Sequence, residues 1–194
     1  LTHVYRQSDR VFIDLLNKVR DNQADAQVLS LLNSRYVPNF KPREEEGYIR
    51  LTTHNAMAQQ INNAELEKLP GQTYMFKAVV EGKFPELSFP TDEVLELKKD
   101  AQVMFVKNDS SPEKRYYNGM IGRVTAINER GFVVQPKGTN EAIEVAPEEW
   151  ENNRYELDEQ TKEIKEVREG LFRQYPIKTA WAITIHKSQG LTFS

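Results

Sequence analysis

This 194-residue sequence predicts an α/β fold interrupted by a small antiparallel β module. Three observations carry the prediction. Residues 48–69 read as strand, polar turn and helix. From residue 95 the chain turns to short alternating strands separated by Gly and Asn turns. Residues 177–185 are almost continuously apolar.

Taken in order, Ser8 and Asp9 offer a helix cap ahead of Val11, Phe12, Leu15, Leu16 and Val19, whose spacing is that of an amphipathic helix. A second short helix is expected over residues 24–35. Pro38, Pro42 and the polar run 43–47 then break regular structure. Residues 48–52, YIRLT, are β-branched and aromatic, as a buried strand requires. Thr53, His54 and Asn55 form a polar turn, and AMAQQINNAELEKL reads as a helix ended by Pro70 and Gly71.

From residue 95, VLELKKDAQVMFVKND, the Asn118-Gly119 turn, GRVTAIN, GFVVQPKG and AIEVAP suggest a small antiparallel sheet or barrel. Residues 154–169 suit a hairpin turning around 158–162; their Glu and Lys content also allows a helix, and the hairpin is preferred. The run 177–185 lacks alternation, as expected of a central parallel strand covered on both faces, and places the polar cluster after it at the strand's carboxyl end. The implied organisation is a core over 1–94, a β module over 95–150, a returning hairpin over 151–170 and a resumed core over 171–194.

Composition excludes several chemistries. The chain has no cysteine, which removes disulfides, thiolate metal sites and a cysteine nucleophile. Its three histidines, His3, His54 and His186, have no close ligand spacing, so no metal site is expected. No apolar run approaches the ~20 residues of a membrane span. The N-terminus lacks both the pattern of a signal peptide and an initiator Met, so an excised segment is expected; the absence of cysteine is compatible with a reducing compartment, and a cytoplasmic setting is expected. The formal charge of −3 argues mildly against nucleic acid, but ten Glu and one Asp fall between residues 141 and 169 against four basic residues. Outside that stretch Arg6, Arg10, Lys178, His186 and Lys187 still supply a positive strip.

The polar cluster Thr184, His186, Lys187, Ser188, Gln189 and Gly190 sets hydroxyls, a cation, an amide and a glycine at the mouth of a buried strand, where α/β sheets bind ligands and where phosphate oxygens find donors. On physical grounds alone it serves equally as an ordinary capped turn.

The segment AWAITIHKSQGLTF closely resembles motif V of superfamily 1 DNA helicases of the RecD and Pif type. The resemblance implies that Thr184, His186, Lys187 and Ser188 face the translocating single strand while Gln189 and Gly190 lie toward the nucleotide. LTHVYRQ at the opposite end resembles motif IV, which makes Arg6 the candidate catalytic residue, reaching the γ-phosphate of ATP as an always-charged planar donor. LTTHNAMAQQINNAEL resembles the segment whose strand-end Thr and Asn meet the DNA backbone, here Thr52, His54 and Asn55; Thr53 or Asn55 equally suits a helix cap.

The β module resembles the SH3-like barrel that these helicases insert into their second RecA-like motor domain, with Lys107, Asn108, Arg115, Tyr116 and Tyr117 as candidates for the strand's path and the two tyrosines core or rim by default. The resemblance thus implies an α/β, RecA-like parallel-sheet domain with an inserted SH3-like barrel. It further implies a parent enzyme using ATP and Mg2+, single-stranded DNA and an N-terminal RecA-like domain as partners, and a bacterial, nucleoid-associated setting. Neither a GxxxxGK[ST] loop nor an acidic strand end for magnesium occurs in the sequence, so the chain alone is expected to bind no cofactor and hydrolyse no ATP. A non-catalytic module binding nucleic acid or protein is the alternative.

Overall fold

The computed structural model describes residues 9–41, 47–157 and 163–189. Arg6, Gly190 and the expected hairpin turn at 158–162 lie outside the described residues. By contact density the chain divides into two units, Leu1–Arg43 with Thr192–Ser194, and Glu44–Leu191.

The first unit holds two capped helices. Asp9 accepts a hydrogen bond from the Phe12 N–H at 3.1 Å and starts α1 (Arg10–Arg20), whose last turn carries Lys18 and Arg20 where the helix dipole favours cations. Asp25 accepts from the Val28 N–H at 2.8 Å and starts α2 (Ala26–Asn33). That backbone donor, foremost among several contributions, holds the Asp25 carboxyl below its ordinary range. Leu15 and Val28 are the buried apolar residues of the pair.

In the second unit β1 (Arg50–Thr52) leads through a two-residue turn into α3 (Asn55–Lys68). The chain then runs through β2 (Tyr74–Lys77), β3 (Val79–Gly82), a short 3-10 turn at Glu86–Ser88, β4 (Val94–Leu97) and β5 (Gln102–Phe105). It continues through β6 (Ile121–Asn128), β7 (Gly131–Pro136), β8 (Ile143–Glu144), β9 (Glu148–Leu157) and β10 (Ile164–Gln174). It ends with β11 (Ile177–Thr179), β12 (Ala182–Thr184) and a single turn, α4 (Ile185–Ser188).

Among the described residues four sheets form: parallel β1–β12, antiparallel β2–β4, antiparallel β3–β10–β9, and antiparallel β11–β5–β6–β7–β8. Burial fits the alternation of the last sheet. In β7 Phe132, Val134 and Pro136 point inward while Gly131, Val133 and Gln135 are half-exposed. Its inner face joins one core of Val103, Phe105, Val124, Phe132, Val134, Ile143 and Ile177 with Leu66 of α3, Phe76 of β2 and Leu95 of β4. The mixed α/β class is therefore observed. The five-stranded sheet ends on β11 and β8, which do not pair with each other, so no closed barrel is found among the described residues.

The expected single parallel strand over 177–185 is corrected. It splits at Ala180 and Trp181 into β11, antiparallel to β5, and β12, parallel to β1. The physical reason is a pair of distant side-chain amides. Gln102 Nε2 donates to the Ala180 carbonyl at 2.8 Å, meeting it with a side chain where β11 ends, and to the Tyr48 carbonyl at 3.1 Å. Asn62 in turn captures both backbone groups of Ala182. Residues 164–169 belong to β10, whose antiparallel pairing with β9 gives the hairpin arms rather than a helix. On its other edge β10 sets Gly170 opposite Gly82 of β3, and the backbones come close: a Cβ on Gly170 would stand 2.3 Å from the Lys83 carbonyl oxygen.

Candidate functional site

Parallel pairing of β1 with β12 sets Thr52 directly beside Thr184, so both strands deliver their carboxyl ends to one edge. A helix starts there from each strand: α3 after the turn Thr53-His54, and α4 directly after Thr184. The first backbone N–H groups of a helix have no intrahelical partner and carry the positive end of its dipole. At α3 that end is open, since the cap residue His54 makes no side-chain cap bond. At α4 the Thr184 hydroxyl accepts from the Lys187 N–H at 3.4 Å.

The edge gathers the two sets of residues that the sequence singled out. Thr52 and Thr184 are buried, and their hydroxyls serve the backbone. Thr52 Oγ1 lies 3.2 Å from the His54 carbonyl and 3.4 Å from that of Ile183, positions from which it donates. His54, Asn55, His186 and Lys187 are exposed. His54 Nδ1 shares a 2.8 Å hydrogen bond with the Thr53 hydroxyl. Half-buried Ser188 donates to the Ile185 carbonyl at 2.7 Å, and exposed Gln189 closes the turn with its N–H on the His186 carbonyl.

Three residues at this edge were not singled out as site candidates by the sequence reading. Asn62 of α3, only 6% exposed, donates to the Ala182 carbonyl at 3.0 Å and accepts from the Ala182 N–H at 2.8 Å, pinning β12 to the helix that begins at Asn55. Its sequence signal was its place in the buried stripe Ala58, Asn62, Leu66, where a four-residue spacing puts an amide among apolar groups. Gln102 holds the segment just before β12. Lys178 of β11 is the third. Burial, repulsion from Lys187 and a contact with that side chain lower it to about 8 against the pull of Asp92.

In the β module most of the proposed strand-path residues are committed elsewhere. Tyr116 is buried, stacked on Phe105 at 4.3 Å, with its hydroxyl 3.3 Å from Glu148. Lys107 pairs with Glu148 at 3.0 Å and lies 4.9 Å from the centre of the Trp150 ring. Arg115 pairs with buried Asp109 at 3.3 Å. Burial pushes the Asp109 carboxyl up, but hydrogen bonds from Ser111 and Arg115 outweigh it and hold the group at about 2. Asn108 accepts from the Asn118 N–H at 2.8 Å, and Tyr117 keeps an exposed ring.

Among the described residues no three His, Asp or Glu side chains are arranged to hold a metal, and no helix is long and apolar enough to cross a membrane. The edge therefore offers donors and positive charge, which suit an oxyanion.

No family model matches the chain. It is 32% identical over 205 residues to the ATP-dependent DNA helicase PIF1 of Rattus norvegicus, an alignment covering 99% of this chain and 29% of that protein. Among solved structures, Bacteroides sp Pif1 in complex with ADP-AlF4 is 36% identical with a TM-score of 0.85, over 99% of this chain and 43% of that one. Bacteroides Pif1 bound to ssDNA is 37% identical with a TM-score of 0.69 over the same shares. The chain thus spans about three tenths of the length of that curated relative and about two fifths of those solved chains.

Proposed function

Because the chain is homologous over its whole length to a segment of Pif1-type superfamily 1 DNA helicases, we propose that it is part of the second motor domain of an ATP-dependent DNA helicase. In this reading the edge formed by β1, β12, α3 and α4 grips the sugar-phosphate backbone of single-stranded DNA. The observation that carries it is the meeting of two distant polar segments, Thr52-Thr53-His54-Asn55 and Thr184 to Ser188, at paired strand ends.

The chemistry follows from the geometry. Open N–H groups at the start of α3 donate to a phosphate oxygen, and Lys187 neutralises charge on the same backbone. His54, Asn55 and His186, exposed beside them, add donors to phosphate or sugar. Buried Thr52 and Thr184 position the turns rather than meeting the strand through free hydroxyls. None of these contacts reads base identity, as translocation along any sequence requires.

Gln189 follows the strand-facing turn and, with Gly190 and Arg6, is assigned to the nucleotide side, where Arg6 would neutralise charge on the transferred phosphoryl group. ATP supplies the driving reaction when bound in the parent enzyme. The sequence holds no GxxxxGK[ST] loop, so the metal and triphosphate are assigned to an N-terminal RecA-like domain of the same polypeptide. The divisions at 1–94, 95–150, 151–170 and 171–194, the SH3-like character of the β module and a cytoplasmic, nucleoid-associated setting belong to the same proposal.

Fluorescence anisotropy with a short poly-dT oligonucleotide tests it. Binding should weaken as salt rises and weaken further in Lys187→Ala, and the chain alone should hydrolyse no ATP. Salt-independent binding unaffected by Lys187→Ala would overturn the assignment. ATP turnover stimulated by single-stranded DNA would overturn the division of labour.

A further inference from the structure

Strand β12 is three residues long and, among the described residues, pairs with β1 alone, setting Arg50 opposite Ala182, Leu51 opposite Ile183 and Thr52 opposite Thr184. A two-stranded ladder this short is marginal by itself, yet it ends on the two turns that make the edge. The Arg50 N–H donates to the Trp181 carbonyl at 2.8 Å, so Trp181 faces β1 and the backbone groups of Ala182, the next residue, point to the other side of β12. Asn62 meets them there. Its Nδ2 donates to the Ala182 carbonyl at 3.0 Å and its Oδ1 accepts from the Ala182 N–H at 2.8 Å, the donor and acceptor that a residue of a third strand would supply. Both residues are buried, so water does not compete for either bond. An apolar residue at position 62 would continue the buried stripe of Ala58 and Leu66 without the cost of burying an amide, so the use of the amide lies in what it holds.

What it holds is the edge. Asn62 follows Asn55 by seven residues, about 10 Å along the axis of α3 from the open N–H groups at its start. Ala182 precedes Thr184 by two residues, about 7 Å along the strand from the cap of α4. One amide therefore fixes the helix that follows His54 and begins at Asn55 against the strand that leads to His186 and Lys187. A second, longer link joins the same halves, Thr52 Oγ1 at 3.4 Å from the Ile183 carbonyl. We infer that Asn62 is a positioning residue for strand binding: it touches no phosphate itself, and it holds the α3 and α4 halves of the edge at one spacing so that both meet the same strand at once. This rests on the reading of the β1–β12 edge as a phosphate-binding surface. Without the tie the two halves sample several arrangements. Affinity then falls with the fraction that is competent, while the number of phosphates neutralised stays the same.

The test measures anisotropy of labelled poly-dT as a function of salt for the wild-type chain, Asn62→Ala, Asn62→Thr and Lys187→Ala, each at a temperature where circular dichroism shows it folded. Asn62→Ala should lose about 5- to 10-fold in affinity at every salt concentration and keep the wild-type slope of log K on log salt. Lys187→Ala should lose affinity and also lower that slope by about 0.7, one phosphate contact on a single strand. Asn62→Thr, whose hydroxyl serves one of the two backbone groups, should lose about 2- to 3-fold with the slope again unchanged. A residue that serves stability alone would lower the melting temperature of Asn62→Ala and leave the affinity of the folded protein as it was.

Wild-type affinity in folded Asn62→Ala overturns the positioning role and leaves the edge standing. A slope lowered by about 0.7 in that variant overturns it too, because a phosphate contact rather than a spacing would have been lost. Absence of wild-type binding to poly-dT overturns the edge itself, and the positioning role with it. Should Asn62→Ala fail to fold, Asn62→Thr decides: wild-type affinity in the folded threonine variant overturns the inference.

Discussion

Replacing Asn62 by alanine removes the side chain that, among the described residues, satisfies both backbone groups of Ala182. Ala182 is 1% exposed, so water cannot substitute at either its N–H or its carbonyl. An orphaned buried polar group costs about 1–3 kcal/mol, and two of them cost about 2–6 kcal/mol. For a chain of this size that lowers the melting temperature by about 4–24 °C. Circular dichroism melting reads the loss directly. A second variant separates the two hydrogen bonds. Asn62→Asp keeps an acceptor for the Ala182 N–H but, once ionised, sets a buried charge against the Ala182 carbonyl. Burial raises the folded-state carboxyl above its unfolded value, so this variant is closest to wild type below the unfolded pKa, and its stability falls as pH rises through the folded one. It should melt nearer wild type at pH 4–5 than at pH 8. A melting temperature of Asn62→Ala within about 2 °C of wild type would refute the reasoning.

Other expectations follow from the same geometry. Gly170→Ala should lower stability by about 1–3 kcal/mol, read by urea denaturation, because its Cβ meets the rigid Lys83 carbonyl rather than a side chain that can turn away. The Asp109 carboxyl is held at about 2 against an ordinary 3.8, so its stabilising contribution is present above the ordinary value and lost as pH falls between about 4 and 2. Wild type should therefore lose stability over that window more steeply than Asp109→Asn, as acid melting curves will show. Asn55→Ala, at the open end of α3, should weaken poly-dT binding by several-fold and leave the melting temperature within about 2 °C, because the side chain is exposed.

Local signals carried most of the elements. The cap at Asp9, the strand, turn and helix from residue 48, and the alternation in β6 and β7 are decided by neighbours within a few positions, which is the range a sequence displays. The run 177–185 was misread because apolar continuity reports burial and not the partner. Where that run breaks is set by Gln102 and Asn62, 78 and 120 residues away in sequence. The two polar segments of the site were visible as motifs, but the role of their threonines was not. Burial turned Thr52 and Thr184 toward the backbone and left His54, Asn55, His186 and Lys187 on the surface. Lys107 and Arg115 were candidates for the path of a nucleic-acid strand, whereas Tyr116, expected as core or rim by default, is core. In the fold each is satisfied by a residue from another strand or loop.

The most direct test of the central claim, that the edge made by β1, β12, α3 and α4 grips a phosphate backbone, is amide chemical-shift mapping of the 15N-labelled chain titrated with poly-dT. The largest, salt-sensitive shifts are expected at Asn55, Ala56, Met57 and Ile185 to Ser188, where the open start of α3 and the Lys187 side chain meet the strand. Saturable shifts confined to the β9–β10 hairpin, with those amides unmoved, would contradict it.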